Sequence, residues 1–305
     1  MKLSTGEALK TVRTKGGQFI ELEGETLEKV QRILLSMAED IIGVCEKNGI
    51  RYSLSGGTAL GAWRHHGFIP WDDDLDINIL AEDFPIFLKA MEKEYDSKYT
   101  VQTSDTENYG MVMGRARLKN SVYRCREDVD SEECGFFVDL FPVENVPDNI
   151  LLRSLQGLLC MAFGLFLSCR TFYKNRRLMM AIAEGNPELK SAFRAKILIG
   201  RCLSFASVRS WAVAANKVYH MCRNSKSRFV SIPAGRKHFF GEMYLRDEFV
   251  KTRPVLFEGH EWQIPEKPEA YFTALYGSDF MTPPPEEKRE RHVLLELKFP
   301  EETYL

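Results

Sequence analysis

Between Tyr52 and Ile79 the chain reads YSLSGGTALGAWRHHGFIPWDDDLDINI, a stretch that leaves little freedom to the fold around it. A short β-prone run, Tyr52 to Leu54, meets the pair Gly56-Gly57 and then a helix-prone segment from Thr58 to Arg64. Glycine lets the N–H groups of such a turn approach an anion that a Cβ would hold off, and a helix start presents more of them. By itself Gly-Gly marks only a tight turn. Its weight comes from Asp74 and Asp76, which flank Leu75 in a run continuing Ile77-Asn78-Ile79. Strand residues two apart share a face, so the two carboxylates project together, and a hard cation would offset their repulsion. Asp72 and Asp73 belong to the same run, which Ile69, Pro70, Trp71, Leu75 and Ile77 box in, unlike a solvated acidic loop. An EF-hand loop shares the Asp72, Asp74, Asp76 alternation. It requires glycine where Ile77 stands and glutamate where Asp83 stands.

A third carboxylate comes from Gly135 to Pro142, GFFVDLFP, where Asp139 is the one charge in an apolar strand. A lone buried acid needs a partner, and metal binding or general-base duty is a common reason for one; a turn cap before Pro142 is the structural alternative. Glycine pair, Asp-Leu-Asp and isolated later aspartate together resemble the nucleotidyltransferase fold. More closely, SGGTALGAWRHHGFIPWDDDLDI with VDLFPVE downstream resembles the LicD family, whose signature fukutin-like proteins share. The resemblance covers Leu27 to Asp148. It returns near the C-terminus, where Phe257-Glu258-Gly259, a strand ending in proline, Tyr276-Gly277-Ser278-Asp279 and a proline stop precede Arg289 and His292.

The resemblance implies an α/β (α+β) fold, a nucleotidyltransferase-type mixed sheet with flanking helices. It also implies transfer of phosphocholine or a related phospho-alcohol from a CDP-linked donor such as CDP-choline to a hydroxyl of a cell-surface glycan or its lipid-linked precursor (lipopolysaccharide or teichoic acid), releasing CMP. Asp74, Asp76 and Asp139 are then the catalytic, metal-holding carboxylates, for Mg²⁺ or Mn²⁺ in its place, with Asp139 alternatively taking the acceptor's proton. Gly56, Gly57 and Thr58 would cradle the diphosphate and His65 would touch phosphate. Arg115, Arg117 and Lys119 would neutralise donor charge, because they share one face of a strand, Met111 to Leu118, whose other face is small or apolar. The alternative for that basic face is a solvated sheet edge. Glu258 and Asp279 are candidates for closing over the site. Three rivals stay open: a nucleotidyltransferase acting on a small molecule, a metal-dependent sugar-nucleotide glycosyltransferase using the Asp-x-Asp pair, and an inactive scaffold of the same fold.

At 305 residues the chain exceeds one ordinary core, which predicts about two domains or one elaborated domain. We divide it into a lead-in (1–25), a catalytic core (26–149), a helical basic region (150–237) and a C-terminal segment closing the site (238–305). The division follows charge: residues 170–237 hold 15 basic and 2 acidic side chains, in a chain of net charge −2. Nothing nucleic-acid-specific accompanies that excess, so it predicts an anionic glycan acceptor or peripheral membrane contact through 154–237, not RNA or DNA. Between Arg153 and Arg170 lies an uncharged run, too short and polar for a membrane span and expected to form a buried helix. Seven scattered cysteines and an N-terminus without an apolar leader predict a cytoplasmic protein, peripheral on the inner face of the membrane if it binds there. Further expectations are a helix over 26–47 with Gly49 as its stop, a helix over 84–95, strands over 99–103 and 122–126, an acidic loop over 127–133, a hairpin around Glu258-Gly259 and a helix over 268–276.

Overall fold

The computed structural model describes residues 20–125, 128 and 131–301. Most of the lead-in, Arg126 and part of the acidic loop lie outside the described residues. Helix α1 (Gly24–Lys47) buries Leu27, Val30, Leu34, Met37 and Ile41, the stripe its periodicity requires. Gly49 follows at φ +65°, which glycine adopts without strain. Then come β1 (Tyr52–Leu54), α2 (Gly56–His65), β2 (Asp76–Leu80), α3 (Phe84–Tyr95), β3 (Tyr99–Gln102), β4 (Gly114–Leu118), β5 (Val122–Cys125) and β6 (Phe137–Val146). Four helices succeed them: α4 (Ile150–Lys174), α5 (Arg176–Ile182), α6 (Pro187–Cys202) and α7 (Val208–Tyr219). The chain returns through β7 (Phe229–Ser231), α8 (His238–Gly241), β8 (Met243–Leu245), α9 (Arg246–Phe249), the hairpin β9 (Thr252–Phe257) and β10 (His260–Pro265), α10 (Pro268–Tyr276) and β11 (Leu294–Lys298).

The fold is α/β, with a curled mixed sheet in the order β1-β2-β6-β4-β3. Only β2 and β6 run parallel; β1, β4 and β3 join antiparallel. The ten residues of β6 are long enough to serve two partners in succession, so the far end, Glu144 to Val146, pairs with β7. One register matters most. Asp76 on β2 stands opposite Asp139 on β6, which stands opposite Arg115 on β4. Three charged residues thus share one rung of the sheet. The main core lies between this sheet, α1, α2 and the C-terminal hairpin and helix, while the helical region builds smaller apolar clusters around Phe172 and Phe193, around Tyr219 and Phe239, and around Ala212.

Three expectations change. Helix α2 begins at Gly56 instead of Thr58, so the glycine pair forms its first turn. The strand predicted from Met111 begins at Gly114, and all five of its residues are buried, which rules out a solvated edge. The uncharged run is not a buried helix: it belongs to the 25-residue α4, whose most apolar window is only 22% buried. Among the described residues α4 is long and apolar enough to cross a membrane, by length and composition. Its buried positions include Gln156, Gly157, Cys160 and Leu167, one face turned to α6 and α7.

Candidate active site

A cavity of about 870 Å³ opens along the edge of that rung. Asp72, Asp74, Asp76, Arg115, Asp139, Gly56 and Gly57 line one part of it, and Met161, Leu165 and Phe172 of α4 line another. The run Asp72 to Asp76 alternates as a strand entry should: Asp72, Asp74 and Asp76 are half-buried, whereas Asp73 and Leu75 are buried. The inward side chain is anchored. Asp73 accepts from the His292 backbone N–H at 3.1 Å, pairs with its Nδ1 at 3.1 Å and accepts from Tyr123 Oη–H at 3.0 Å. Burial pushes the Asp73 carboxyl up, but the His292 charge and these bonds outweigh it and hold the group below the usual carboxylate range. Anchoring Asp73 in this way fixes the run whose Asp72, Asp74 and Asp76 line the cavity beside it.

The glycine pair faces carboxylates. A Cβ on Gly57 would sit 2.9 Å from Asp72 Oδ2, and one on Gly56, where φ is +49°, would sit 3.2 Å from Asp76 Oδ2. Thr58 is buried and its Oγ1 accepts from the Asp76 backbone N–H at 2.9 Å, so it positions Asp76 from behind and does not line the cavity. Gly56 N–H donates to Tyr271 Oη at 2.8 Å, which satisfies one of the donors a helix start leaves over.

Arg115 donates from Nε to Asp139 Oδ1 at 2.6 Å and from Nη2 to Oδ2 at 2.9 Å, over the Phe137 ring at 3.6 Å. Burial alone would lower the Arg115 pKa, yet the Asp139 carboxylate beside it holds it well above its ordinary value. Arg117, two residues on and on the same face, leads elsewhere: it is buried on Gln102, the Gly135 carbonyl and Asp128, at 2.7, 3.0 and 2.6 Å. Lys119 bonds the Asp96 carbonyl. His65 is exposed, with Nε2 accepting from Arg64 Nε at 2.9 Å. Asp279 is exposed and accepts from Thr282 Oγ1 at 2.6 Å. Glu258 caps the Gly67 turn, accepting from Phe68 N–H at 3.1 Å. None of these last five lines the cavity. The residues that replace them there, unanticipated from the sequence, include Tyr271, Tyr276, Arg236, Glu242 and Glu290, with Arg236 paired to Glu290 at 2.7 Å.

Among the described residues no three His, Cys, Asp or Glu side chains are arranged to hold a metal ion. Both Asp139 oxygens accept from Arg115, while Asp74 and Asp76 of the predicted trio stand half-buried along the cavity. That pair suits Mg²⁺, which keeps several waters and takes one or two carboxylates plus substrate phosphates. The donor set is all oxygen, and the glycines leave space beside Asp76 that a side chain would fill.

Residues 49–154, which contain this rung and the glycine turn, match the description "LicD/FKTN/FKRP, nucleotidyltransferase domain". Over 288 residues the chain is 25% identical to the lipopolysaccharide cholinephosphotransferase LicD of Haemophilus influenzae, covering 89% of this chain and 97% of that protein. Over 52 residues it is 50% identical to the ribitol 5-phosphate transferase FKRP of Homo sapiens and equally to that of Mus musculus, 17% of this chain and 10% of those proteins. Residues 49–154 thus carry a LicD-type nucleotidyltransferase domain, and the chain is similar over most of its length to a LicD cholinephosphotransferase.

Proposed function

We propose that this chain is a LicD-type transferase and moves a phospho-alcohol, phosphocholine or a close relative, from a CDP-linked donor to a glycan hydroxyl. In that reaction the acceptor oxygen bonds to the phosphorus bearing the alcohol, the bond from that phosphorus to the CMP oxygen breaks, and the hydroxyl proton passes to a cavity carboxylate. The observation that carries the reading is the row Asp72, Asp74 and Asp76 along one cavity, with Asp76 and Asp72 against the Gly56-Gly57 turn. It stands in a chain that aligns over 89% of its length with a cholinephosphotransferase.

Asp74 and Asp76 would hold Mg²⁺, which when bound neutralises diphosphate charge and stabilises the leaving oxygen. Arg115 lines the cavity two strands across the rung from Asp76, beyond Asp139, and offers fixed positive charge to the same phosphates. Asp139 keeps that guanidinium in place and charged, which makes it a positioning residue. Preorganised charge of this kind carries most phosphoryl-transfer catalysis.

The test is CMP release from CDP-choline with Mg²⁺ and a glycan acceptor, beside Asp76→Asn. Phosphocholine appearing on the acceptor with CMP supports the reading. Free phosphocholine with CMP joined to the acceptor would give the site to nucleotidyl transfer, CDP released from a CDP-sugar offered in place of CDP-choline would give it to a glycosyltransferase, and absence of any nucleotide binding would leave an inactive scaffold.

A further inference from the structure

The outward face of α4 is apolar where solvent should have made it polar. Ile150, Leu151, Leu152, Leu155, Leu158 and Met161 are between 41% and 77% exposed, all within the first twelve residues of one helix. Isolated exposed leucines are ordinary; a contiguous stripe is not. The stripe also widens sideways. Phe240, 46% exposed, packs on Gly157, where an added Cβ would sit 2.3 Å from its ring. Met221, 51% exposed, follows Tyr219, whose carbonyl accepts from Gln156 Nε2 at 2.9 Å.

Charge rims the same face. The guanidiniums of Arg153 and Arg228 lie 4.5 and 5.4 Å from the Phe229 ring centroid. Arg223 and Lys226 are exposed between Met221 and Arg228, and Lys237 is exposed close before Phe240. Asp148, which accepts from the Arg228 N–H at 2.7 Å, is the acid at this edge. From Ile150 to Lys237 the only acidic residues are Glu184 and Glu188. An apolar stripe bordered by cations is the pattern of a helix lying in a bilayer interface over anionic headgroups. The opposite face of α4 is occupied by α6 and α7, so the helix lies along such a surface and does not cross it.

We propose that this face docks on an anionic lipid bilayer, with Ile150–Met161 sunk among the headgroups and Arg153, Arg223, Lys226 and Arg228 on their phosphates. Met161 belongs both to the stripe and to the wall of the cavity that holds Asp74 and Asp76, so the cavity meets the membrane side at α4. This last step rests on the proposed function: docked in this way, the site takes its acceptor from a membrane-anchored glycan.

Co-sedimentation with vesicles tests it without any catalytic readout. The full chain binds vesicles of equimolar phosphatidylcholine and phosphatidylglycerol, binds phosphatidylcholine alone at least about tenfold less, and is released by salt. The triple variant Leu151→Glu, Leu155→Glu, Leu158→Glu partitions at least about tenfold less. Its melting temperature and its CMP release with soluble acceptor stay as in the parent. Should the triple variant misfold, hydrogen exchange on the unmodified chain decides, with vesicles slowing exchange in 150–161. Absence of vesicle binding, unchanged binding by the folded variant, or unprotected 150–161 overturns the proposal. So does a dimer in light scattering that the same substitutions dissociate, which would assign the face to a second copy. Vesicle binding with no CMP release would leave the docking intact and remove the proposed function instead.

Discussion

Arg115 and Asp139 meet through two parallel hydrogen bonds of 2.6 and 2.9 Å, with side chains 2% and 8% exposed, on the rung that also carries Asp76. A buried pair of this kind costs more to break than to replace. Asp139→Ala, which strands the guanidinium, is expected to lower unfolding free energy by about 3–5 kcal/mol. Arg115→Met with Asp139→Leu recovers most of that in a urea titration, while transfer activity stays lost. Recovery of activity with stability would show that the pair only supports the fold.

Asp76 separates activity from stability in the opposite sense. Asp76→Asn removes one of two carboxylates facing the glycine turn, and turnover is expected to fall about a thousandfold. The melting temperature holds or rises, because a like-charge repulsion is relieved. Mg²⁺ titration of nucleotide binding checks the cause: the variant needs more metal.

Gly56→Ala carries two costs at one position. A side chain at φ +49° loses roughly 1–2 kcal/mol, and its Cβ would press within 3.2 Å of Asp76 Oδ2. Turnover is therefore expected to fall by more than the stability loss predicts from reduced folded population. Thermal unfolding and kcat measured on the same sample resolve the two.

Glu242 makes stability fall with rising pH. It is 3% exposed, accepts from the Lys237 N–H at 2.7 Å, and burial pushes its carboxyl up to about 7. Between the unfolded value and 7 the folded protein binds the extra proton, so unfolding is favoured progressively as pH rises through that window. About 3 kcal/mol is lost by pH 8 at about 1.36 kcal/mol per unit. Glu242→Gln keeps the acceptor and flattens the profile; denaturant midpoints from pH 4 to pH 8 are the measurement.

Asp73 works in the reverse direction. Its folded pKa lies below the unfolded one, so its contribution is complete above the unfolded value and disappears as pH falls through the folded one. His292→Gln removes the cation that dominates the lowering. Acid unfolding then begins at higher pH, and activity drops at neutral pH as the Asp72 to Asp74 run loosens.

Short-range spacing was enough for a good part of this protein. The stripe of α1, the hairpin at Glu258-Gly259 and the shared face of Asp74 and Asp76 all follow from side-chain period, which covalent geometry fixes before any tertiary contact forms. The glycine pair and the lone Asp139 were legible for the same reason, and the family resemblance rests on them. Partner choice was not legible. Arg115 and Arg117 are chemically identical and share a strand face, yet one meets Asp139 at the cavity and the other is sealed beneath Asp128. Which carboxylate arrives depends on the register of β6 and on where the chain turns at Asp128, 11 residues after Arg117. Tyr271 reaches Gly56 from 215 residues away and His292 reaches Asp73 from 219, distances over which no periodicity carries information. The exposure of α4 was also decided by packing. Its composition fits a core, a membrane surface or a bilayer span equally, and only the placement of α6 and α7 along one side leaves the other uncovered.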